Sequence, residues 1–461
     1  MSGAPPSPAA APGRPRPAVH FTANDGWVND PYGVVWTGDR YHMFYQAIPG
    51  RVTWAPNCHW GHAESPDLVR WSERTIALAP QGFEVGCWSG RFVVGDDGQG
   101  TILYTRVSGD DWGQGKVALA RGDASFRHWD TGPGDIVIDG PPSALAAHAF
   151  RDPYVFRDNG AWVAVLGAGL GDGSGAALQY RSDDLRSWTY DGVLCSRLST
   201  PEDEVWTGAL WECPQLFRLD EDWVLLVSVW DADELHYVAA ATGDYDGTKF
   251  TPRRWQRLSY GSSAYAMSAF LDRDGQRCVM SWLREEPRNN PALTERAGAL
   301  SVTSVVVRER DGGRLGLRPH PNVLALAGGP LEAEPGRGSG RRYDIGPGPA
   351  LLTLSASGAN SLTVERGGTG AASVCIDSRT GRLSVERRGF PSLDMPLTGA
   401  GVDDEVRLLL DADLVEVFAR GSYCAFRVAP AISDGGTCLF LDGPEPGRED
   451  VRNLEALLPG T

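Results

Sequence analysis

The sequence predicts an all-β protein, a propeller followed by a β-sandwich. Three observations carry this reading. A pattern recurs about every 60 residues through the first two thirds of the chain. Beyond residue 340, short segments alternate apolar and polar residues between Gly and Asp turns. No long amphipathic helical pattern interrupts either part.

The elements follow in order. Residues 1–17 are rich in Pro and Ala, carry two arginines and lack the apolar core of a secretory signal. They are expected to be a disordered tail on a cytoplasmic protein. Residues 18–327 hold the repeat. Ser65-Pro66-Asp67-Leu68-Val69-Arg70-Trp71 resembles Ser182-Asp183-Asp184-Leu185-Arg186-Ser187-Trp188, with a weaker copy from Ser125 to Trp129 and a degenerate one ending at Phe250. The tryptophans lie 129 − 71 = 58 and 188 − 129 = 59 residues apart. Repeats of this length with short strands and polar turns fit propeller blades better than a solenoid. Gly328-Gly329-Pro330 opens a Gly/Pro-rich stretch to residue 340, expected to be a linker or surface loop. Residues 341–461 then read as the sandwich, with segments such as Leu351-Leu352-Thr353-Leu354 and Leu414-Val415-Glu416-Val417-Phe418.

Composition narrows the function. At 461 residues the chain exceeds one ordinary domain. A net charge of −16 excludes an electrostatic partner such as nucleic acid or an anionic membrane, and no apolar run has the length of a membrane span. The eight cysteines are scattered without a C-x-x-C pair, which fits neither a zinc site nor a disulfide scaffold; they are expected to be reduced and mostly buried. Sixteen tryptophans suit both blade cores and clefts that stack sugar rings.

Three carboxylates fall near one phase of the rhythm: Asp30 in Asn29-Asp30-Pro31, Asp152 in Arg151-Asp152-Pro153, and Glu212 in Glu212-Cys213-Pro214. Their gaps are 152 − 30 = 122 and 212 − 152 = 60, about two periods and then one. Equal phase in units that circle an axis brings side chains together. Two carboxylates flanking a bond are the equipment of glycoside hydrolysis, one ionised and one protonated. The amide of Asn29 favours an ionised Asp30, Arg151 an ionised Asp152, and the apolar neighbours Trp211 and Cys213 a protonated Glu212. There is no dense acidic loop for a metal, and no cofactor motif. His59 and His62 point to opposite faces of a strand and read as packing residues.

Several segments, in order, resemble glycoside hydrolase family 32, the invertase and fructanase family. Trp27-Val28-Asn29-Asp30-Pro31-Tyr32-Gly33 is similar to its first box; Phe44-Tyr45-Gln46, His59-Trp60-Gly61-His62-Ala63 and Trp88-Ser89-Gly90 to those that follow; Phe150-Arg151-Asp152-Pro153 and Trp211-Glu212-Cys213-Pro214 to the last two. The resemblance covers roughly residues 19–325. It implies a five-bladed propeller and a sandwich. It also implies Asp30 as nucleophile, Glu212 as acid/base and Asp152 as stabiliser, with Trp27, Asn29, Gln46, Trp54, Trp88, Ser89, Arg151 and Tyr265 around the fructose. A retaining enzyme that acts on sucrose or short fructo-oligosaccharides is the expectation. A fructosyltransferase, an arabinofuranosidase-like enzyme and an inactive sugar-binding protein are the alternatives. Four positions depart from the family pattern: Tyr32, Arg91, Gln215 and Ser259. They are expected to border the pocket, with Tyr32 shortening the leaving-group side and Arg91 meeting the substrate.

Overall fold

The structure, a computed structural model, describes residues 15–457 apart from 96, 110–111, 287–292, 294, 310–312, 339, 357–358, 398–404, 430–435 and 443–448. Five antiparallel sheets form the blades of a propeller. Their innermost strands are Gly26–Trp36, Gly86–Val94, Ala149–Asp158, Leu210–Leu219 and Ala264–Leu271. Each packs on the next and the fifth packs on the first. Arg296–Ala297 pairs in parallel with Gly26 and Trp27, which ties the fifth blade to the first. Two seven-stranded sheets follow as a sandwich. Its interior holds residues such as Leu352, Leu362, Val374 and Val417. A second apolar core joins Leu226, Met267 and Val306 of the propeller to Leu409 and Phe418 of the sandwich. Among the described residues the one α-helix is Pro321–Leu324, and no helix is long and apolar enough to cross a membrane.

The tryptophan motif encodes the turn that leads to the outermost strand of a blade. Asp67 Oδ1 accepts the backbone N–H groups of Val69 and Arg70, and Trp71 Nε1 donates to the Leu68 carbonyl at 3.2 Å. Asp184, Leu185 and Trp188 repeat this arrangement. The weaker copy forms the same turn, with Trp129 donating to Phe126, but Asp123 supplies the carboxylate. Leu68, Phe126 and Leu185 all take left-handed backbone angles, φ 68°, 56° and 65°. These are costly for bulky residues. Burial of each side chain against its blade holds them there.

The boundaries differ from the sequence reading in two places. The stretch expected as a linker contains Ala327–Pro330, paired with Asp450–Leu454, and Glu334–Pro335, paired with Arg341–Gly346. Both are edge strands, where a proline leaves no ladder hydrogen bond unmade. At the other end, residues 1–14 lie outside the described chain, but Arg16 is anchored to Asn24 and to the Thr22 carbonyl.

The N-terminal segment is fixed to the sandwich by a buried charge cluster. Asp411 accepts the backbone N–H groups of Ala18, Val19 and His20 at 2.7–2.9 Å. The His20 ring then bridges Asp411 and Glu416, each at 2.8 Å. Glu416 also accepts from the Val302 N–H of the propeller. Burial pulls the imidazole pKa down, but the two carboxylates outweigh it and raise it to about 9. The bridge therefore contributes its full stability below the unfolded histidine pKa near 6.5 and loses it as pH rises through about 9. Removing one partner of a buried pair costs roughly 3–5 kcal/mol. His20→Ala is expected to lose about that much in denaturant unfolding at pH 7, and the gap to wild type should narrow above pH 9. A gap independent of pH would show that His20 acts through packing alone.

Candidate active site

The innermost strand of every blade breaks register at the same height. The shifts fall between Val28 and Pro31, Trp88 and Gly90, Arg151 and Tyr154, Glu212 and Gln215, and Tyr265 and Ser268. Such bulges re-aim side chains. Asp152, Cys213 and Ala266 occupy them with φ 61°, 46° and 48°. Here adjacent residues of a strand both face the axis. This explains the recurring prolines: Pro31, Pro153 and Pro214 stand where the ladder is interrupted and no N–H is required. The true phase-mates of Asp30 are Ser89, Asp152 and Cys213, at gaps of 59, 63 and 61 residues (89 − 30, 152 − 89 and 213 − 152). Glu212 stands one residue earlier, in step with Asn29, Trp88, Arg151 and Tyr265.

These side chains line one cavity of about 480 Å³, a size suited to a small ligand. All three acids, Asn29, Gln46, Trp54, Trp88, Ser89, Arg151 and Tyr265 are in its wall. Trp27 is not. It is fully buried, and its indole Nε1 donates to Asn29 Oδ1 at 3.0 Å, which turns the Asn29 amide toward Asp30. Ser89 Oγ lies 2.6 Å from Asp30 Oδ2 and 2.8 Å from Gln46 Oε1. The Cys213 N–H donates to Asp152 at 2.9 Å, and its thiol sits 3.5 Å from Asp30 and 3.6 Å from Asp152. Burial, then the surrounding carboxylates, hold that thiol protonated.

The sequence neighbours misled on charge. Arg151 reaches Glu212 at 3.2 Å, not Asp152, and its guanidinium lies 5.4 Å from the Trp88 ring centre. Tyr265 donates to the other Glu212 oxygen at 2.8 Å. Trp211 is buried in the core of its blade and does not shield Glu212. Asp152 is 6% exposed; burial first, then the charge of Glu212, raises its pKa to about 7 despite Arg151. Asp30 rises to about 6, chiefly by burial, with Ser89 opposing. Burial and neighbouring charge thus hold Asp30 and Asp152 above the ordinary carboxylate range.

None of the four departures from the family pattern lines the cavity. Tyr32 is 4% exposed and packs on Trp60 at 4.1 Å. Arg91 donates to the Ala269 carbonyl and lies over the Tyr154 ring. Gln215 pins the fourth blade to the fifth through Met267 and Ala269. Ser259 accepts the Val238 N–H, and Tyr260–Gly261 joins a sandwich sheet. The expectation that Tyr32 and Arg91 shape the substrate side is therefore corrected: they fill the axis below it. The wall is completed instead by the exposed Trp112, His148 and Asp233, the half-buried Trp230 and Leu235, and the buried Trp282. These carried no motif; only the high tryptophan count hinted at them. Cys213, which the sequence reading did not name as a site residue, was findable by phase.

Comparison with known proteins follows the same boundaries. Residues 20–319 match the glycosyl hydrolases family 32 N-terminal domain. The chain is 32% identical to the sucrose-6-phosphate hydrolase of Escherichia coli over 66% of its own length and 64% of that protein. It is 30% identical to the raffinose invertase of Escherichia coli over 88% of its length and 87% of that protein. The solved GH32 beta-fructofuranosidase of Bombyx mori superimposes with a TM-score of 0.81 at 25% identity, covering 96% of this chain and 95% of that one. Ordered motifs, five blades with their sandwich and a shared acidic cavity thus agree, and the chain belongs to family 32 of the glycosyl hydrolases, as a β-fructofuranosidase-like glycoside hydrolase.

Proposed function

We propose that this hydrolase releases β-linked fructose from sucrose or a short fructo-oligosaccharide by double displacement. The observation that carries the reading is the convergence of Asp30, Asp152 and Glu212 in one cavity with separate partners. Asp30 is the nucleophile: Asn29 and Ser89 hold both of its oxygens in place. Glu212 is the acid/base, oriented by Arg151 and Tyr265. Asp152, fixed by the Cys213 N–H, grips fructose hydroxyls. Asp30 must be ionised to attack and Asp152 to accept the fructose hydroxyls, so kcat/KM should begin to fall as pH drops through about 7 and fall further through about 6. Five tryptophans in the wall offer stacking faces for sugar rings. The free cysteines, most of them buried, support action in a reducing compartment.

The acids are tested first. Asp30→Asn and Glu212→Gln are expected to lower turnover by at least about 10²–10⁴-fold without unfolding the protein. An activated substrate with a good leaving group should restore the first step in the Glu212 variant only. Near-normal turnover in either folded variant would remove the assignment.

Stereochemistry is independent of mutation. A nucleophile and acid in a retaining enzyme stand about 5–5.5 Å apart, too close for an intervening water. NMR of the first product is expected to show fructose with its anomeric configuration kept. Inverted fructose at early times would refute double displacement.

The rest of the wall addresses the leaving group. Asp233 is exposed and lines the same cavity as Trp112 and Trp230, and Arg151, the one guanidinium or ammonium among the described residues of the wall, is engaged by Glu212. A carboxylate there repels a phosphate dianion. Sucrose is expected to be cleaved with kcat/KM about tenfold or more above sucrose 6-phosphate, and Asp233→Asn should narrow the difference. Equal or better use of the phosphorylated sugar would contradict this.

A further inference from the structure

Beneath the carboxylates, the propeller axis holds a second cavity of about 20 Å³. Ser89 and Asp152 line both cavities, so their side chains divide one from the other. Three residues that line it each carry a buried polar atom with no protein partner: Tyr32 Oη, Arg91 Nε and Ser268 Oγ. They come from three different blades, the first, second and fifth. Their frames are fixed, Tyr32 by Trp60 and Arg91 by the Ala269 carbonyl and the Tyr154 ring. Buried polar atoms in folded proteins find a partner, and where the chain supplies none that partner is water. A water needs roughly 10–15 Å³ and two to four polar partners. This cavity meets both conditions.

We propose that one internal water is held beneath the site by Tyr32, Arg91 and Ser268, and that through it these residues position the Asp152 carboxylate above. The hydrogen bonds balance. Arg91 Nε can only donate, so the water accepts from it. One hydroxyl donates to the water and the other accepts from it. The second water proton is left for Asp152, which borders the cavity. Tyr32, Arg91 and Ser268 touch no substrate and are positioning residues. The two clearest departures from the family pattern, Tyr32 and Arg91, thereby belong to one device. A donor from below favours the ionised Asp152, against the burial and the Glu212 charge that push it up to about 7.

Only the kinetic part of the test rests on the proposed activity. A high-resolution crystal structure is expected to show one density peak within about 2.7–3.2 Å of all three atoms. No peak would overturn the proposal whatever the substrate. Tyr32→Phe and Ser268→Ala, checked for folding by their thermal transitions, are each expected to lower sucrose kcat/KM about tenfold, the scale of one hydrogen bond. Each should also move the acidic limb of the pH profile to higher pH. Because both remove the same water, the double variant should be no worse than the worse single one. Additive losses with an unmoved acidic limb would overturn the positioning role. Wild type without activity on sucrose would sink the proposed substrate and leave the density to decide the water.

Discussion

Three carboxyl groups share one buried cavity, and the side chains around them answer their mutual repulsion. Bringing carboxylates out of water and next to each other disfavours their ionised forms, which is why Asp30 and Asp152 both lie well above the ordinary carboxylate range. Among the described lining residues one guanidinium, Arg151, answers them. The remaining support is neutral: the Asn29 amide, the Ser89 and Tyr265 hydroxyls and the Cys213 N–H. These neutral donors orient the carboxylates and favour their ionised forms, opposing the burial that raises Asp30 and Asp152. The bulges that aim these groups inward place Asp152 and Cys213 in left-handed backbone, a strained choice for side-chain-bearing residues. Five blades packed in a ring keep that strain from relaxing.

The sequence revealed the site where chemistry and backbone geometry coincide. Asn-Asp-Pro, Arg-Asp-Pro and Glu-Cys-Pro are visible because each proline marks a bulge and each polar residue before it faces the axis. The blade turns were visible because an acid, a large apolar residue and a tryptophan recur at fixed spacing. What stayed hidden depended on direction. Arg151 precedes Asp152 in the chain but pairs with Glu212, 61 residues away, because the bulge separates the two neighbouring side chains. Tyr32 and Gly33 follow Asp30 immediately, yet Tyr32 leads away from the pocket into the axis. Trp230 stands at the far end of a second strand and Asp233 in the turn that follows, where nothing local distinguishes them from surface turn residues.

The sandwich was legible as alternation, but its connection to the propeller was not. A sequence reader sees Gly328-Gly329-Pro330 and expects slack chain. The fold uses those residues as an edge strand and fixes the chain's beginning by Asp411 and Glu416 near its end. Prolines and glycines signal the absence of a central strand more reliably than the absence of any strand.

One small pairing has consequences for how the chain reaches this state. Tyr260–Gly261, between the fourth and fifth blades, lies parallel to Cys424 and Ala425 of the sandwich, 424 − 260 = 164 residues later. A parallel neighbour so distant in sequence forms only after a long loop has closed, which places it late in assembly. The strands of the fifth blade pair among themselves, and only this connecting segment waits for the C-terminal third of the chain. A polypeptide stopped after the propeller would leave Tyr260 and Gly261 without these partners, so the sandwich completes the connection between the last two blades.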